Sequence, residues 1–462
     1  MPKPARLEMR AIGRLSVWDA FKKIKGGSMP FILESSLTDS YLGRYSFMGC
    51  NPTGWFRSRG NRAAFVSPWV EGTRHGHPLD ALKEFLAGMP AAARGRHPFP
   101  FMGGLVGYVS YDLVRSLESL PDRKRADLGI PDMHMAVYSN IIAVDHMCSD
   151  EAFSIRLGGS DSFSLGDFDK YLRLPDDPVP ISPLDRDGYV KSIEKAKEFI
   201  MDGDLYQVNL SHRQALPIPD CAEKAYERLR SMTPSAFGAC IDAGDHQVLS
   251  ASPELFMRTR GRSIETRPIK GTRPRGRTRA QDTALAKNLV ASEKDAAENV
   301  MIVDVERNDL GKICEFGSID VPTLKGIRKL PNVFHLESVV NGRLRAGVSA
   351  SDIIAATFPG GSITGAPKIR AMEIIEQLEP HRRGIYTGSI GYISWDGTMD
   401  MSVAIRTATV IGKTAYFPVG GGIVADSDPE MEYRETMDKL HGHAEALTNG
   451  NAEVTPDGLR VA

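Results

Sequence analysis

Residues Ser389–Val419 read SIGYISWDGTMDMSVAIRTATVIGKTAYFPV. Apolar and β-branched residues dominate, and Trp395-Asp396-Gly397-Thr398 carries the residues of a hairpin turn. The spacing predicts strands at Ser389–Trp395, Met399–Val410 and Thr414–Val419, one directly after another. Strands that follow each other without an intervening helix belong to antiparallel sheets, since a parallel pair needs a long crossover. Upstream, Leu205–Arg213 alternates, with Tyr206, Val208 and Leu210 on one face and Gln207, Asn209 and Ser211 on the other. Phe237–Ile241, Gln247–Ser250 and Leu255–Arg260 read as further strands. Helices are predicted around Val190–Ile200, which Gly203 ends, and at Asp282–Ala291, Asp295–Leu310, Lys368–Leu378 and Glu430–Leu447. The fold class is therefore α+β, with helices outside antiparallel sheets, and not a doubly wound parallel sheet.

Further toward the N-terminus, Phe101–Tyr111 is apolar and glycine-rich, as expected of a buried strand closely approached by other backbone. Pro175, Pro178, Pro180 and Pro183, with Asp176 and Asp177, mark a seam at Leu174–Asp185. It separates an N-terminal region, 1–175, from a C-terminal region, 186–447. Residues 448–462 read as a polar tail that frays. The chain has 462 residues and a net charge of −1, so neither nucleic acid nor a membrane surface is an expected partner. Its longest uncharged runs, His97–Tyr111 and Ile353–Pro367, are 15 residues each, too short to span a bilayer. Five cysteines without paired spacing, and a start lacking an apolar leader, point to reduced thiols and a cytoplasmic location.

Several residues have the chemistry of a site. Asp295 and Glu298 lie three apart on a predicted helix, as do Glu432 and Glu435, so each helix presents two carboxylates on one face. Two such faces meeting would suit a hard divalent cation, although solvated helix faces are the commoner reason for such pairs. The basic run Arg258–Arg279 reads as a solvated loop, with one exception. Lys270 sits between Pro268 and Gly271, a frame in which a lysine near other cations, Arg267 and Arg273 among them, would have a lowered pKa and act as a nucleophile. Pro359–Lys368 runs into a helix and Gly420-Gly421-Gly422 follows a strand. Each suits either an anion held by backbone amides or a structural turn. His335, between Phe334 and Leu336, reads as a core histidine, without neighbours at zinc-ligand spacing.

The order of these motifs resembles the chorismate-utilising enzymes. It runs from Tyr206–Ser211 through Ser252-Pro253-Glu254, Pro268–Thr272, Asp304–Leu310 and Gly361–Lys368 to Gly420–Ser427. The resemblance covers Asp187–Leu447 and reaches the N-terminal region through Phe31–Ser35, Gly43–Phe47 and Gly103–Tyr108. It implies two large antiparallel sheets packed roughly orthogonally, with helices outside and the substrate between the sheets. Within the family the chain is most similar to the aminodeoxychorismate synthase component I branch, which carries lysine at the place of Lys270. Anthranilate synthase component I, the alternative, carries alanine there. The resemblance makes Lys270 the nucleophile at C2 of chorismate and Glu254 the acid that protonates the departing C4 hydroxyl. It makes Glu298 and Glu435 ligands of Mg²⁺, with Asp295 and Glu432 holding its waters. Arg406, Tyr386, Ser362, Gly420, Gly422, Lys439 and His335 match substrate-contacting positions, and Leu33, Glu34 and Ser35 a possible tryptophan pocket. Isochorismate and salicylate synthases carry a water-activating lysine where this chain has Gln207. Ammonia is expected from a separate glutaminase subunit, since this chain has no Gly-x-Cys-x-Gly elbow.

Overall fold

The computed structural model describes residues 7–37, 41–90, 98–121, 124–158, 185–331, 333–455 and 458–461. Most of the proline-rich seam lies outside these residues. Two antiparallel sheets, of 11 and 12 strands, dominate the architecture. Each takes strands from both sides of the seam. In the 11-stranded sheet Phe31–Glu34 pairs with Phe237–Asp242, and in the 12-stranded sheet Gly104–Val109 pairs with Ser389–Ser394.

The facing sides of the sheets make one core. Phe31, Phe47, Ala239, Ile241 and Val248 of the first sheet meet Val106, Tyr108, Tyr138, Ile390 and Tyr392 of the second. Helices cover the outer faces. On the first sheet, Tyr189, Ile193, Tyr226, Leu229, Ile374 and Leu440 pack over Val208, Leu210 and Phe417. On the second, Leu82, Phe85, Val303 and Ile354 pack over Phe56, Leu105, Met257 and Met401. Val208 and Leu210 thus face helices, as their alternation requires. Tyr206 does not join them: it precedes the strand and is exposed.

The Ser389–Val419 stretch holds the principal departure from expectation. The hairpin forms: Ser394 N donates to Thr398 O at 2.8 Å, and Gly397 takes φ +85°. However, Met399–Val410 is not one strand. Met399–Val403 belongs to the 12-stranded sheet and Thr407–Ile411 to the 11-stranded sheet. The chain changes sheets across Ala404–Arg406, where Arg406 adopts φ +54°. Its partner strand does the same. Gln247–Ser252 pairs with Thr407–Ile411 in one sheet, and Leu255–Arg260 pairs with Met399–Val403 in the other. A two-stranded ribbon therefore passes between the sheets, stitched by Val403 N to Glu254 O at 3.0 Å and Ala251 N to Arg406 O at 3.0 Å.

Two other readings are corrected. The basic run is not a loop up to Pro274 but the strands Leu255–Arg260, Ser263–Arg267 and Ile269–Pro274, with irregular backbone only at 275–278 before the helix Arg279–Ala291. Its arginines meet carboxylates brought by other segments: Arg258 with Asp400 at 2.7 Å, Arg267 with Glu337 at 3.1 Å and Arg275 with Asp282 at 2.7 Å. The tail from Ala452 forms a hairpin, Ala452–Thr455 with Gly458–Val461, against the last helix. Among the described residues no helix is long and apolar enough to cross a membrane.

Gly107 lies in the middle strand of three, between Met133–Tyr138 and Ser389–Ser394. A Cβ there would stand 1.9 Å from the backbone oxygen of His134. Backbone cannot yield as a side-chain tip does. Gly107→Ala is expected to lower unfolding free energy by about 3 kcal/mol, read as a reduced midpoint in urea.

Candidate active site

The ribbon's crossing opens a cavity of about 770 Å³ where the sheets part. Glu254 sits on one crossing strand and Arg406 on the other, so the two arrive side by side. The neighbouring strands Gln207–Pro217 and Thr414–Ile423 pair with Asn209 opposite Gly422 and Ser211 opposite Gly420. Gly420–Gly422 is therefore part of a strand that walls the cavity, not a turn. A Cβ on Gly422 would lie 2.2 Å from Gln207 Nε2 and 3.7 Å from Lys270 Nζ.

Lys270 stands on the strand Ile269–Pro274, whose pairing slips between Ile269 and Thr272 and where Gly271 takes φ +80°. The irregularity lets the side chain enter the cavity, where Nζ donates to the carbonyl of Ser362 at 3.1 Å. Burial lowers the Lys270 pKa, and the charge of Lys439 adds to it against the opposing pull of Glu298, Glu254 and Glu435. Arg267 and Arg273, expected to supply that effect, are turned to other partners: Arg267 to Glu265 and Glu337, Arg273 to Asp295.

Glu254 is 4% exposed, and burial raises its carboxyl to about 7 against the Ser362 hydroxyl, which donates to it at 2.6 Å, and the charge of Lys270. A single residue, Ser362, thus touches both the acid and the amine. In its segment the amides of Gly361 and Thr364 are engaged within the protein. The Gly361 N–H goes to Glu306 at 2.9 Å, and Gly365-Ala366 pairs with the strand Gln207–Pro217.

Both carboxylate pairs line the cavity, Asp295 and Glu298 from the helix Glu293–Gly311, Glu432 and Glu435 from the helix Pro429–Thr448. Each has its own partner: Asp295 with Arg273 at 2.9 Å, Glu298 with Gln207 at 3.1 Å, Glu432 with Ser427 at 2.6 Å, Glu435 with Lys439 at 2.7 Å. Among the described residues no three acidic, histidine or cysteine side chains converge as a ready-made metal site. The donor chemistry nonetheless fits a hard cation that takes few protein ligands. Burial, together with the charges of Asp295 and Glu432, holds the Glu298 carboxyl above its usual range, a repulsion that a divalent ion would relieve.

The cavity also holds cationic and neutral donors. Arg406 Nη1 donates to Lys439 O at 2.8 Å, and among the described residues no carboxylate lies within ion-pair distance of it. A half-buried guanidinium so placed suits an anionic guest. Lys439 Nζ donates to Gly420 O at 2.9 Å. Burial raises Tyr386 to about 12, so its hydroxyl stays a neutral donor. His335, beside Thr272 Oγ1 at 2.9 Å, is lowered to about 4 by burial, with Arg328 and Arg406 adding to the effect, and is a neutral imidazole. Asn209, Thr272, Lys294 and Asp438 also line the cavity and were not singled out from sequence. Asn209 follows Gln207 by two on an alternating strand, and Thr272 follows Lys270 by two, so period-two spacing was the available signal.

Leu33 and Glu34 lie elsewhere, at a separate cavity of about 260 Å³ with Tyr41, Arg44, Arg258 and Asp400. The Glu34 carboxylate accepts from Arg230 at 2.7 and 2.8 Å and from Tyr226 at 2.8 Å. The Ser35 hydroxyl turns back to Leu37 O.

The chain belongs to the family of chorismate binding enzymes, which it matches over residues 34–445. It is 37% identical to aminodeoxychorismate synthase component 1 of Bacillus subtilis (strain 168), covering 88% of this chain and 89% of that protein. It is 39% identical to anthranilate synthase component 1 of Thermus thermophilus, covering 91% and 93%. The crystal structure of anthranilate synthase component I from Streptococcus pneumoniae TIGR4 superposes with a TM-score of 0.74 at 31% identity, covering 93% of this chain and 97% of that one. The menaquinone-specific isochorismate synthase MenF from Escherichia coli shares the fold, with a TM-score of 0.70 at 19% identity over 97% of this chain and 96% of that one.

A methyl group on Gly422 would push Gln207 off Glu298 and narrow the cavity. Gly422→Ala is expected to raise the KM for chorismate about tenfold while leaving Tm within about 2 °C. Steady-state kinetics and a thermal melt together check this.

Proposed function

We propose that this chain is the synthase component of an aminodeoxychorismate synthase, forming 4-amino-4-deoxychorismate from chorismate and ammonia for 4-aminobenzoate and folate synthesis. The observation that carries the reading is the half-buried amine of Lys270, of lowered pKa, at the cavity that also holds Glu254. A neutral amine is a nucleophile, and a carboxylic acid near pKa 7 is a proton donor at neutral pH. The Lys270 amine attacks C2 of chorismate, both conjugated ring double bonds shift (C1=C2 to C1=C6 and C5=C6 to C4=C5), and the C4 hydroxyl leaves as water with the proton of Glu254. Ammonia then adds at C4 and expels the lysine from C2, and the surplus proton returns to Glu254. Each displacement runs through the conjugated diene, the second reversing the double-bond shifts of the first, and two easier steps replace one hard one.

Arg406 and Lys439 bind the carboxylates of the dianion, and Tyr386 and His335 act as neutral neighbours. Magnesium, when bound by Glu298 and Glu435 with Asp295 and Glu432 holding its waters, would supply a clamp on a substrate carboxylate. Ammonia comes from a separate glutaminase subunit, a reading supported by the "component 1" in the names of the relatives. The five cysteines are unpaired, in keeping with a reducing cytoplasmic compartment.

The relatives include anthranilate synthases at similar identity, so the product is the deciding test. With chorismate, Mg²⁺ and ammonium the expected product is 4-amino-4-deoxychorismate, and anthranilate in its place would overturn the reading. Lys270→Ala is expected to cut that product at least about 1,000-fold while chorismate still binds. Intact-protein mass spectrometry with chorismate and no ammonia should place added mass on the peptide holding Lys270. Undiminished turnover by Lys270→Ala removes the covalent role.

The acid has its own signature. Glu254 donates only when protonated, so kcat is expected to fall as pH rises through about 7. A kcat flat to pH 9 would show that another group protonates the leaving hydroxyl.

A further inference from the structure

Glu306 is 2% exposed on the helix Glu293–Gly311, and the steps above do not use it. Its Oε1 accepts the backbone N–H of Gly361 at 2.9 Å. Its Oε2 is buried without a hydrogen-bond partner among the described residues. Gly361 lies hard against this helix: a Cβ there would be 2.8 Å from Val305 Cγ1 and 3.3 Å from Glu306 Oε1. The next residue is Ser362, whose hydroxyl donates to Glu254 at 2.6 Å and whose carbonyl accepts from Lys270 at 3.1 Å. The ends of this short helical turn are tied by Lys368 Nζ to Pro359 O at 2.7 Å and by Arg383 Nη1 to Ile363 O at 3.0 Å. Its first amide is tied by Glu306.

We propose that Glu306 is a positioning residue that holds the Gly361–Ser362 segment, and through Ser362 sets the placement of both the Glu254 carboxyl and the Lys270 amine. The inference rests on the roles given above to Glu254 and Lys270. A buried carboxyl is costly in an apolar setting, and an apolar replacement is commonly tolerated by the fold. What Glu306 provides here is an acceptor for one amide, one residue away from the point where acid and amine meet. Displacing reacting groups by about 1 Å costs on the order of 100-fold in rate.

The test compares Glu306→Leu, which removes the acceptor, with Glu306→Gln, which keeps an oxygen in the same place. In the full chain, Glu306→Leu is expected to lower kcat about 100-fold with KM for chorismate changed less than about threefold. Glu306→Gln is expected to recover kcat to within about tenfold of the parent. A second readout needs no turnover. In difference infrared titration, the carboxyl band lost in Glu254→Gln identifies Glu254. That band shifts in Glu306→Leu, because the Ser362 hydroxyl has moved, and stays in Glu306→Gln. Should Glu306→Leu fail to fold, Glu306→Met takes its place with the same two readouts, compared with Ser362→Ala and the double variant: a double variant no worse than Ser362→Ala alone supports the path through Ser362, and losses that multiply refute it. A folded Glu306→Leu with the parent's band and kcat overturns the proposal. A parent enzyme that forms no 4-amino-4-deoxychorismate overturns the function proposed above, and the infrared band still reads the placement of Glu254.

Discussion

A ribbon of two antiparallel strands that must leave one sheet and enter another cannot keep its ladder continuous. Here the break falls at Pro253–Glu254 on one strand and at Ala404–Arg406 on the other, and the two breaks are side by side. Proline at 253 donates no N–H, and Arg406 takes a left-handed φ of +54° that a continuing strand would not allow. Across the crossing Val403 N donates to Glu254 O and Ala251 N to Arg406 O, each at 3.0 Å, and the Ser252 hydroxyl donates to Val403 O at 2.6 Å. The crossing thus costs few hydrogen bonds while prising the sheets apart. It places one acid and one guanidinium at the mouth of the gap it creates.

Everything else in the cavity is arranged around that gap. Two helices from different parts of the chain bring acids to its rim, and glycine-walled strands keep its back open. Burial then acts on each titratable group in the direction that disfavours its charge. It raises Glu254 and lowers Lys270 and His335, while Glu435, beside Lys439, is kept low by that neighbour's charge. The result is an acid shifted toward its protonated form and an amine shifted toward its neutral form, both in contact with Ser362.

The α+β class was legible because period-two patterning and the hairpin residues at 395–398 are local. The five helices expected from sequence fall within a few residues of their observed ends, Lys368–Leu378 directly on them, but Val17–Ile24, Pro78–Gly88, Ala222–Met232 and Ala350–Thr357 were not read. The split of Met399–Val410 was not legible. Its residues are apolar and β-forming on both sides of the break, and only the competing partners in two sheets force it. The basic run looked solvated because the carboxylates that pair with it, Asp400, Glu337 and Asp282 among them, come largely from segments far away in sequence. The quarter-turn logic of helices exposed the acid pairs 295/298 and 432/435, but nothing local tells that the two helices face one cavity.

The sequence by itself determined which residue types occupy the site, their order along the chain and their family, because ordered motifs survive without knowledge of distance. It also determined that Lys270 would sit beside a proline and a glycine that interrupt regular pairing. Only the tertiary structure decided that Lys270 is lowered by burial and Lys439 rather than by Arg267 and Arg273, and that Glu34 is already paired. It alone decided that Glu306 reaches the Gly361 amide across 55 residues of chain. Those outcomes depend on desolvation and on contacts between remote segments, both of which are set by packing and neither of which is written in any local window of sequence.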